Sequence, residues 1–584
     1  MLLTDKNLLN KTSNQKKSLT KTTNKQLIET TVADSIVQML TELGVRHAFG
    51  VGGGAIAPMW EALEKSSIDV LHFRHEAGAA FAAIEAYFAN NSPVAVFTTT
   101  GPGIINALTG MAAARYDGAK VILISACTSE TNEGKWAFQE TSLNTMPEEL
   151  FSNGKLFHYA HCIKSSNELP EIAEQLAVGF SQPGGFVAHL SIPTDVQTRN
   201  AYNIFPDKSK LPLFIPDNKV INQVSELLSA ESFAIWVGFG ARKATKEILQ
   251  LAERTGAAVM SSPRGKGIFP EKHPQYLGVT GFAGHESVLE YMESTPPQRI
   301  LVLGTRLGEF TSFWNPAMIP PKGFIHVDID SQVPGASYPN ANTFPVIADV
   351  KRFLSLLLGK LSIKQTNSLV QLPPKFNTFT LQEENGNSET DLIRPQVLMS
   401  AIQKVIVEGS NAIVIAEAGN SFAWTTHHLK FHTSKCWRVS TGFAAMGHAT
   451  TGVIGAAIAN GGKAVAVVGD GAMLMNNEIN TAVQYNIPAV WIVLNDSSYN
   501  MCSQGMKKLG YGSANTQISP TDFVMLARSM GADGICVESE SQIETALRTA
   551  INSKVPFVVD VKIDISKFAP IGRRLNNLIK ETAN

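Results

Sequence analysis

The chain has 584 residues, 44% of them hydrophobic and 17% charged, with a formal net charge of −1. That length accommodates about three or four domains with large buried cores, and so balanced a charge excludes a nucleic-acid or anionic-membrane surface as the main partner. The five cysteines (Cys127, Cys162, Cys436, Cys502, Cys536) are odd in number and contain no Cys-x-x-Cys pair, which argues against a structural zinc site and suits a reducing, cytoplasmic setting. No apolar run is long enough to span a membrane.

Residues 1–30 are rich in Lys, Asn and Thr and lack the apolar centre of a signal peptide, so a disordered tail is expected; the alternative, a transit peptide, would call for Arg, which the segment lacks. Residues 31–200 read as an α/β domain. An amphipathic helix over 31–43 leads into a strand at 48–54 that ends in Gly52-Gly53-Gly54. A strand at 70–73 delivers Arg74-His75-Glu76 to an Ala-rich helix, AGAAFAAIEAYFA. A strand at 94–98 runs into Thr100-Gly101-Pro102-Gly103, and strands at 121–125 and 187–192 complete the domain. Glu76 on a first helical turn is ordinarily a partner of the helix dipole. Here the helix is nearly all small residues, so something packs closely against it. Glu85, nine residues on, falls about 180° around the helix and reads as a solvent-facing charge.

Residues 215–360 form a second α/β unit, with strands at 234–237, 300–303 and 324–327. Gly238-Phe239-Gly240-Ala241-Arg242 follows the first of these and Asp328-Ile329-Asp330 the last. A Gly-x-Gly without the third glycine leaves two readings open, a nucleotide-binding turn and a purely structural one. Residues 361–390 are polar, with two prolines and little periodicity, and read as a linker.

The third α/β domain covers 391–570, with a tail at 571–584 that carries Arg573 and Arg574. Its strand at 412–415 ends in Glu417-Ala418-Gly419-Asn420-Ser421, and residues 440–461 begin as a loop and become a helix of small residues. Residues 463–503 form a βαβ unit. A strand at 464–468 ends in Gly469-Asp470-Gly471, a helix runs to about residue 486, and Pro488 precedes a strand at 489–494 ending in Asn495-Asp496. Both strand ends belong at the carboxyl edge of a parallel sheet, where open α/β folds bind ligands. The residue types suit Mg²⁺ holding a diphosphate: carboxylates for the ion, glycines and a helix N-terminus for the phosphates. A tight strand–helix turn with a capping Asp is the alternative.

Taken together, RHEAGAAFAAIEAYFA, TTGPGIINALTGMAAA, AFQET, FIHVDIDS and FAAMGHATTGVIGAAIA stand in one order across three α/β domains. They resemble the thiamine-diphosphate enzymes of the acetolactate synthase / pyruvate decarboxylase superfamily, and most closely its acetolactate synthase branch, over about residues 31–575. The resemblance implies three consecutive parallel-sheet domains: pyrimidine-binding, central Rossmann-like and diphosphate-binding. It implies that Glu76 faces N1′ of the coenzyme's aminopyrimidine, with Gln139 and the Gly53 loop lining the reaction centre. It places Met446 under the bend of the coenzyme and the Ala444 carbonyl on its 4′-amino group. Gly419, Asn420, Ser421, Gly469, Gly471 and Ala472 would cradle the diphosphate, and Asp470, with Asn495 or Asp496 and a carbonyl near Ser498, would hold Mg²⁺.

This chain departs from its relatives in having Asn495-Asp496 where most have Asn-Asn, and in its closing segment KFAPIGRRLNNLI. The resemblance further implies a homodimer or homotetramer in which one subunit supplies the glutamate and another the diphosphate site. The implied reaction is a carboligation: a 2-oxo acid loses CO₂ and its acyl unit is joined to a second carbonyl compound, acetolactate-like or an acyloin. Phe138, Phe443, Met501 and Met506 offer aromatic and Met side chains that would suit aromatic 2-oxo acids; that they are ordinary core residues is the other reading. A simple decarboxylase or lyase, and an oxidase using FAD, are the alternatives. Acetolactate synthases often carry FAD, for which 238–242, 304–306 and 328–330 would be the contacts.

Overall fold

A computed structural model of the chain describes residues 29–206, 216–361, 392–572 and 576. All but the first residue of the expected linker at 361–390 and nearly all of both expected tails therefore lie outside the described residues. The described chain forms three six-stranded sheets, each wholly parallel.

The first sheet holds β1 (His47–Val51), β2 (Asp69–His72), β3 (Val94–Thr98), β4 (Lys120–Cys127), β5 (Tyr159–Cys162) and β6 (Phe186–Pro193), in the order β2-β1-β3-β4-β6-β5. The central sheet holds β7 (Phe233–Val237), β8 (Val259–Ser261), β9 (Tyr276–Val279), β10 (Arg299–Leu303), β11 (Phe324–Asp328) and β12 (Thr343–Ile347), in the order β9-β8-β7-β10-β11-β12. The last holds β13 (Ile413–Ala416), β14 (Trp437–Val439), β15 (Ala464–Gly469), β16 (Ala489–Asn495), β17 (Asp533–Val537) and β18 (Phe557–Lys562), in the order β14-β13-β15-β16-β18-β17.

The first and last sheets thus share one topology, and the central sheet has the 3-2-1-4-5-6 order of a dinucleotide-binding fold. Ligands of such sheets bind where the strand order reverses. Those places fall between β1 and β3, between β7 and β10, and between β13 and β15. Each expected glycine turn sits at one of them: Gly53 and Gly101, Gly238 and Gly304, Gly419 and Gly471.

The apolar runs became strands because parallel sheets covered on both faces bury alternate residues alike. β4 and β6 are buried along their whole length. The strands without such a run, β5, β8, β9, β12, β14 and β17, were not anticipated.

Helix α1 (Glu76–Asn90) packs against α2 (Pro102–Asp117) and against α4 (His448–Asn460) of the last domain; α3 (Asn420–His428) lies between the last two in the chain. Small residues permit the approach. A Cβ on Gly455 would lie 1.9 Å from the Ala82 carbonyl oxygen, and one on Gly110 would lie 2.3 Å from the Ala80 Cβ. Two expectations are corrected here. Glu85 does not face solvent: it is 2% exposed, because the far side of α1 is covered by α4. The expected helix from 471 to 486 is two short helices, α5 (Asp470–Met473) and α6 (Ile479–Gln484), separated by residues 474–478.

Candidate active site

The first domain gathers Gly53, Glu76, Thr100 and Gln139 at the carboxyl end of its sheet. Gly53 passes so close to β3 that a Cβ there would lie 2.7 Å from Thr99 Oγ1. Gly101 adopts φ +49°, which turns the chain into α2, where Pro102 begins the helix. A Cβ on Gly103 would lie 3.0 Å from Glu76 Oε1, so the bare backbone lets α2 close onto the carboxylate. Asn106, one turn into α2, donates to Glu76 Oε2 at 3.0 Å. Thr100 donates its hydroxyl to Gln139 Oε1 at 3.0 Å, and Gly101 N donates to Thr141 Oγ1 at 2.7 Å. The loop carrying Gln139 is pinned at its base by Thr128 and Thr141, which exchange hydrogen bonds of 3.1 and 2.8 Å. Its tip projects: Trp136 is 95% and Phe138 91% exposed.

The last domain gathers the second group. Gly419, at φ +112° and ψ −157°, has a conformation open essentially to glycine alone and starts α3. A Cβ there, or on Gly469, would meet nothing within 4 Å, so both glycines border open space. Ser421 donates to the Glu417 carbonyl at 2.9 Å, while buried Asn420 Oδ1 has no hydrogen-bond partner among the described residues. Glu417, 1% exposed, accepts from Ala449 N, Thr450 N and Thr450 Oγ1 at 3.0 to 3.1 Å, locking the end of β13 to α4. Ala444 has φ +52°, which turns the loop ahead of Met446, a side chain that stays partly exposed.

Asp470 Oδ1 accepts from Gly471 N at 2.7 Å, and its buried Oδ2 lacks a partner among the described residues. Burial pushes the Asp470 pKa up, against the backbone N–H groups of Gly471 and of 496–498. Asp496 is pushed up to about 7, first by burial and then by the charge of Asp470, while Asn500 works the other way. Asp470 and Asp496 therefore lie close enough for their charges to act on each other. Asn495 does not join them. Its amide donates to Asp560 Oδ1 at 2.8 Å and to the Thr521 carbonyl at 3.2 Å, back into the sheet. Ser498 hydrogen-bonds to the Thr516 carbonyl at 3.2 Å, and Tyr499 packs so close that a Cβ on Gly471 would lie 2.6 Å from its ring. Among the described residues no three His, Cys, Asp or Glu side chains group as metal ligands. Two carboxylates alone leave Mg²⁺ short of oxygens, a deficit that phosphate oxygens characteristically fill.

A third feature is a cavity of about 860 Å³ between the central domain and its neighbours. Gly240, Arg242, Gly304–Arg306 and Asp328–Asp330 line it, so the three expected stretches do converge, joined by Arg115, Asp117 and Arg264. Burial pushes Asp328 up and Arg115, Arg242 and Arg264 down. Sequence reading missed Arg115 and Arg264, which come from separate elements and share no motif. It also missed Asn106 and Glu478, although Asn106 follows its glycine turn by one helical turn.

Comparison with known proteins gives the family. Residues 30–146 match the N-terminal TPP binding domain of the thiamine pyrophosphate enzymes, 221–357 their central domain and 417–561 their C-terminal TPP binding domain. The chain belongs to the thiamine pyrophosphate enzymes, thiamine pyrophosphate being another name for thiamine diphosphate. It is 28% identical to a probable acetolactate synthase large subunit of Methanocaldococcus jannaschii, covering 94% of this chain and 95% of that one. It is 28% identical to the acetolactate synthase large subunit of Haemophilus influenzae (92% and 95%), and 26% identical to a putative thiamine pyrophosphate-containing protein of Bacillus subtilis (91% and 92%). It is a thiamine-diphosphate-dependent enzyme of the acetolactate synthase type. No helix among the described residues is long and apolar enough to cross a membrane.

Proposed function

We propose that the enzyme is a carboligase, which decarboxylates a 2-oxo acid and joins the acyl unit to a second carbonyl compound. The observation that carries the reading is Glu76, a buried carboxyl held by Asn106 beside Gly53 and Gln139, in a chain whose last domain presents the Asp470–Asp496 pair. When bound, thiamine diphosphate supplies the carbon nucleophile and electron sink for carboxyl cleavage. Glu76 holds a proton for N1′ of the aminopyrimidine, and Asn106 keeps its second oxygen occupied. The Ala444 carbonyl and Met446 would hold the aminopyrimidine side of the coenzyme. Gly419, Asn420, Ser421, Gly469, Gly471 and Ala472 take the diphosphate. The unpartnered oxygens of Asn420 and Asp470 and the open space beside Gly419 and Gly469 fit that cargo. Asp470, Asp496 and the Ser498 carbonyl serve Mg²⁺, and Asn495 serves the sheet.

A second copy completes the site in this reading. Among the described residues the hydrogen-bond partner of the Glu76 side chain is Asn106, in its own domain, whereas Met446, Leu474 and Met475 are partly or largely exposed on the other domain. The projecting Trp136 and Phe138 flank Gln139 and supply the apolar area such an interface needs. Of the side chains considered for aromatic substrates, Phe138 projects beside Gln139, while Met501 packs against the core of the last domain. Phe138 therefore supports a bulky or aromatic 2-oxo acid as one partner in the coupling. FAD suits the central cavity: arginines for a pyrophosphate, Asp328 for a ribose hydroxyl, glycines for close approach. Purified protein with flavin absorption would bear that out, and colourless protein would remove it.

The test is Glu76→Gln assayed with a panel of 2-oxo acids, scoring coupled product against free aldehyde. The variant should melt as wild type and lose activity by about 10²- to 10⁴-fold. Full turnover refutes the role of Glu76. Free aldehyde as the only wild-type product refutes carboligation and leaves a decarboxylase.

A further inference from the structure

We propose that Glu478 is the positioning residue for Glu76, gripping from the last domain the two backbone N–H groups that immediately precede it. The inference rests on the role given to Glu76 above.

Glu478 stands in the break between α5 and α6 and is 1% exposed. Its Oε1 accepts from Arg74 N and His75 N, each at 3.0 Å, and its Oε2 lies 3.0 Å from Arg74 N and accepts from the Thr481 hydroxyl. These donors lie at the entry to α1, whose leading N–H groups have no partners within the helix. An anion there also meets the positive end of the helix dipole.

Gly78 makes room for this contact. A Cβ at that position would lie 2.9 Å from Glu478 Oε1, so a larger residue would push the carboxylate off. The neighbouring residues reinforce the grip. His72 N donates to Tyr485 Oη at 2.9 Å, and Arg74 Nε donates to Asn480 Oδ1 at 2.8 Å. Glu76 is thus held from two sides: the backbone of Arg74 and His75 just ahead of it through Glu478, and its own carboxyl through Asn106 on α2.

The segment is short. Glu478 comes eight residues after Asp470, at the end of the short connection that follows α5. A misplacement of about 1 Å at a catalytic group costs on the order of 100-fold in rate. The single-residue link from 478 to 74–75 is where such slack would enter.

The test compares Glu478→Ala, Glu478→Asp and Glu478→Gln. Each is measured for melting temperature, for thiamine diphosphate affinity with Mg²⁺, and for deuterium exchange at C2 of the bound coenzyme by NMR. The amide oxygen of Gln can take both N–H groups as Oε1 does now, so Glu478→Gln should exchange within about threefold of wild type. Glu478→Asp withdraws the acceptor by one methylene, and Glu478→Ala removes it. Both should slow exchange by about 10- to 100-fold, with affinity changed less than about threefold. Should Glu478→Ala fail to fold, Glu478→Asp decides the question.

Wild-type exchange in Glu478→Asp, or a loss of affinity and melting temperature in proportion to the loss of exchange, overturns the proposal. Glu76→Gln in the same assay separates the two readings. If it exchanges normally, the role of Glu76 falls. If it does not exchange while Glu478→Ala and Glu478→Asp do, only the positioning role falls.

Discussion

Glu85 Oε1 and His448 Nε2 lie 2.8 Å apart, both almost fully buried, where α1 of the first domain crosses α4 of the last. Arg438 Nε stands 3.7 Å from the other carboxylate oxygen. A charge placed so deep is tolerated because its partners are there with it.

The pair makes stability depend on pH. Burial alone would lower the His448 pKa, but the hydrogen bond and charge of Glu85, with Asp117 and Glu417 farther off, outweigh it and hold the imidazole above its usual value. A raised folded-state pKa means the contribution is fully present below about pH 6.5 and is lost as pH rises through the folded value. Glu85→Ala should cost about 3–5 kcal/mol near pH 6 by leaving Arg438 and His448 unpaired. Urea unfolding from pH 6 to 9 should show the His448 contribution to the gap between wild type and variant shrinking.

The two candidate ligands after β16 can be told apart. Asp496→Ala should weaken Mg²⁺-dependent thiamine diphosphate binding by at least about tenfold, or 1.4 kcal/mol, with little change in melting temperature. Asn495→Ala should do the reverse, lowering stability by leaving buried Asp560 without its amide donor, at a cost of about 1–3 kcal/mol. Calorimetric titration beside thermal melts checks both, and chelation by EDTA should abolish coenzyme binding in the wild type.

Helix α4 leaves no space where it meets α1. Gly455→Ala would set a methyl 1.9 Å from the Ala82 carbonyl oxygen, and backbone atoms cannot rotate away as a side chain can. The substitution should destabilise by about 1–3 kcal/mol or more. Gly461→Ala differs in kind: it has open space, but its φ of +62° strains any side chain, at a cost of about 1 kcal/mol. Thermal denaturation of the two variants should rank Gly455→Ala as the more damaging.

The projecting loop offers a test of assembly. Trp136 and Phe138 are almost wholly exposed in the single chain. Trp136→Ala combined with Phe138→Ala should shift the sedimentation profile toward monomer and lower coenzyme affinity in proportion. A profile unchanged from wild type would place the interface elsewhere.

Much of this architecture was legible from apolar runs that end in glycine and acid, because a strand buried on both faces must be apolar throughout and its end must turn. The strands β5, β14 and β17 were not, since YAHC, WRV and DGICV lack such a run and are set by pairing with β6, β13 and β18. Glu85 was misplaced although its angular position was right. The far side of α1 faces another helix, a fact announced by small residues all the way round, since a helix apolar on every face is enclosed. The helix break at 474–478 contains Asn476-Asn477, poor helix formers whose side chains compete for backbone groups: Asn476 Oδ1 accepts from Glu478 N. Asn495 and Asp496, equal in the sequence, are separated by what each already bonds.

Arg242, Arg264 and Arg438 crowd around the rings of Phe88 and Phe239 at the junction of the three sheets, each guanidinium 4.0–5.6 Å from a ring centre. Like charges so close repel one another, and Asp117 and Glu85 answer only part of that repulsion. A phosphate-bearing occupant of the adjoining chamber would cancel more of it and act as mortar between the domains. Such a guest would raise the temperature at which the enzyme falls apart even if it never took part in a single turnover.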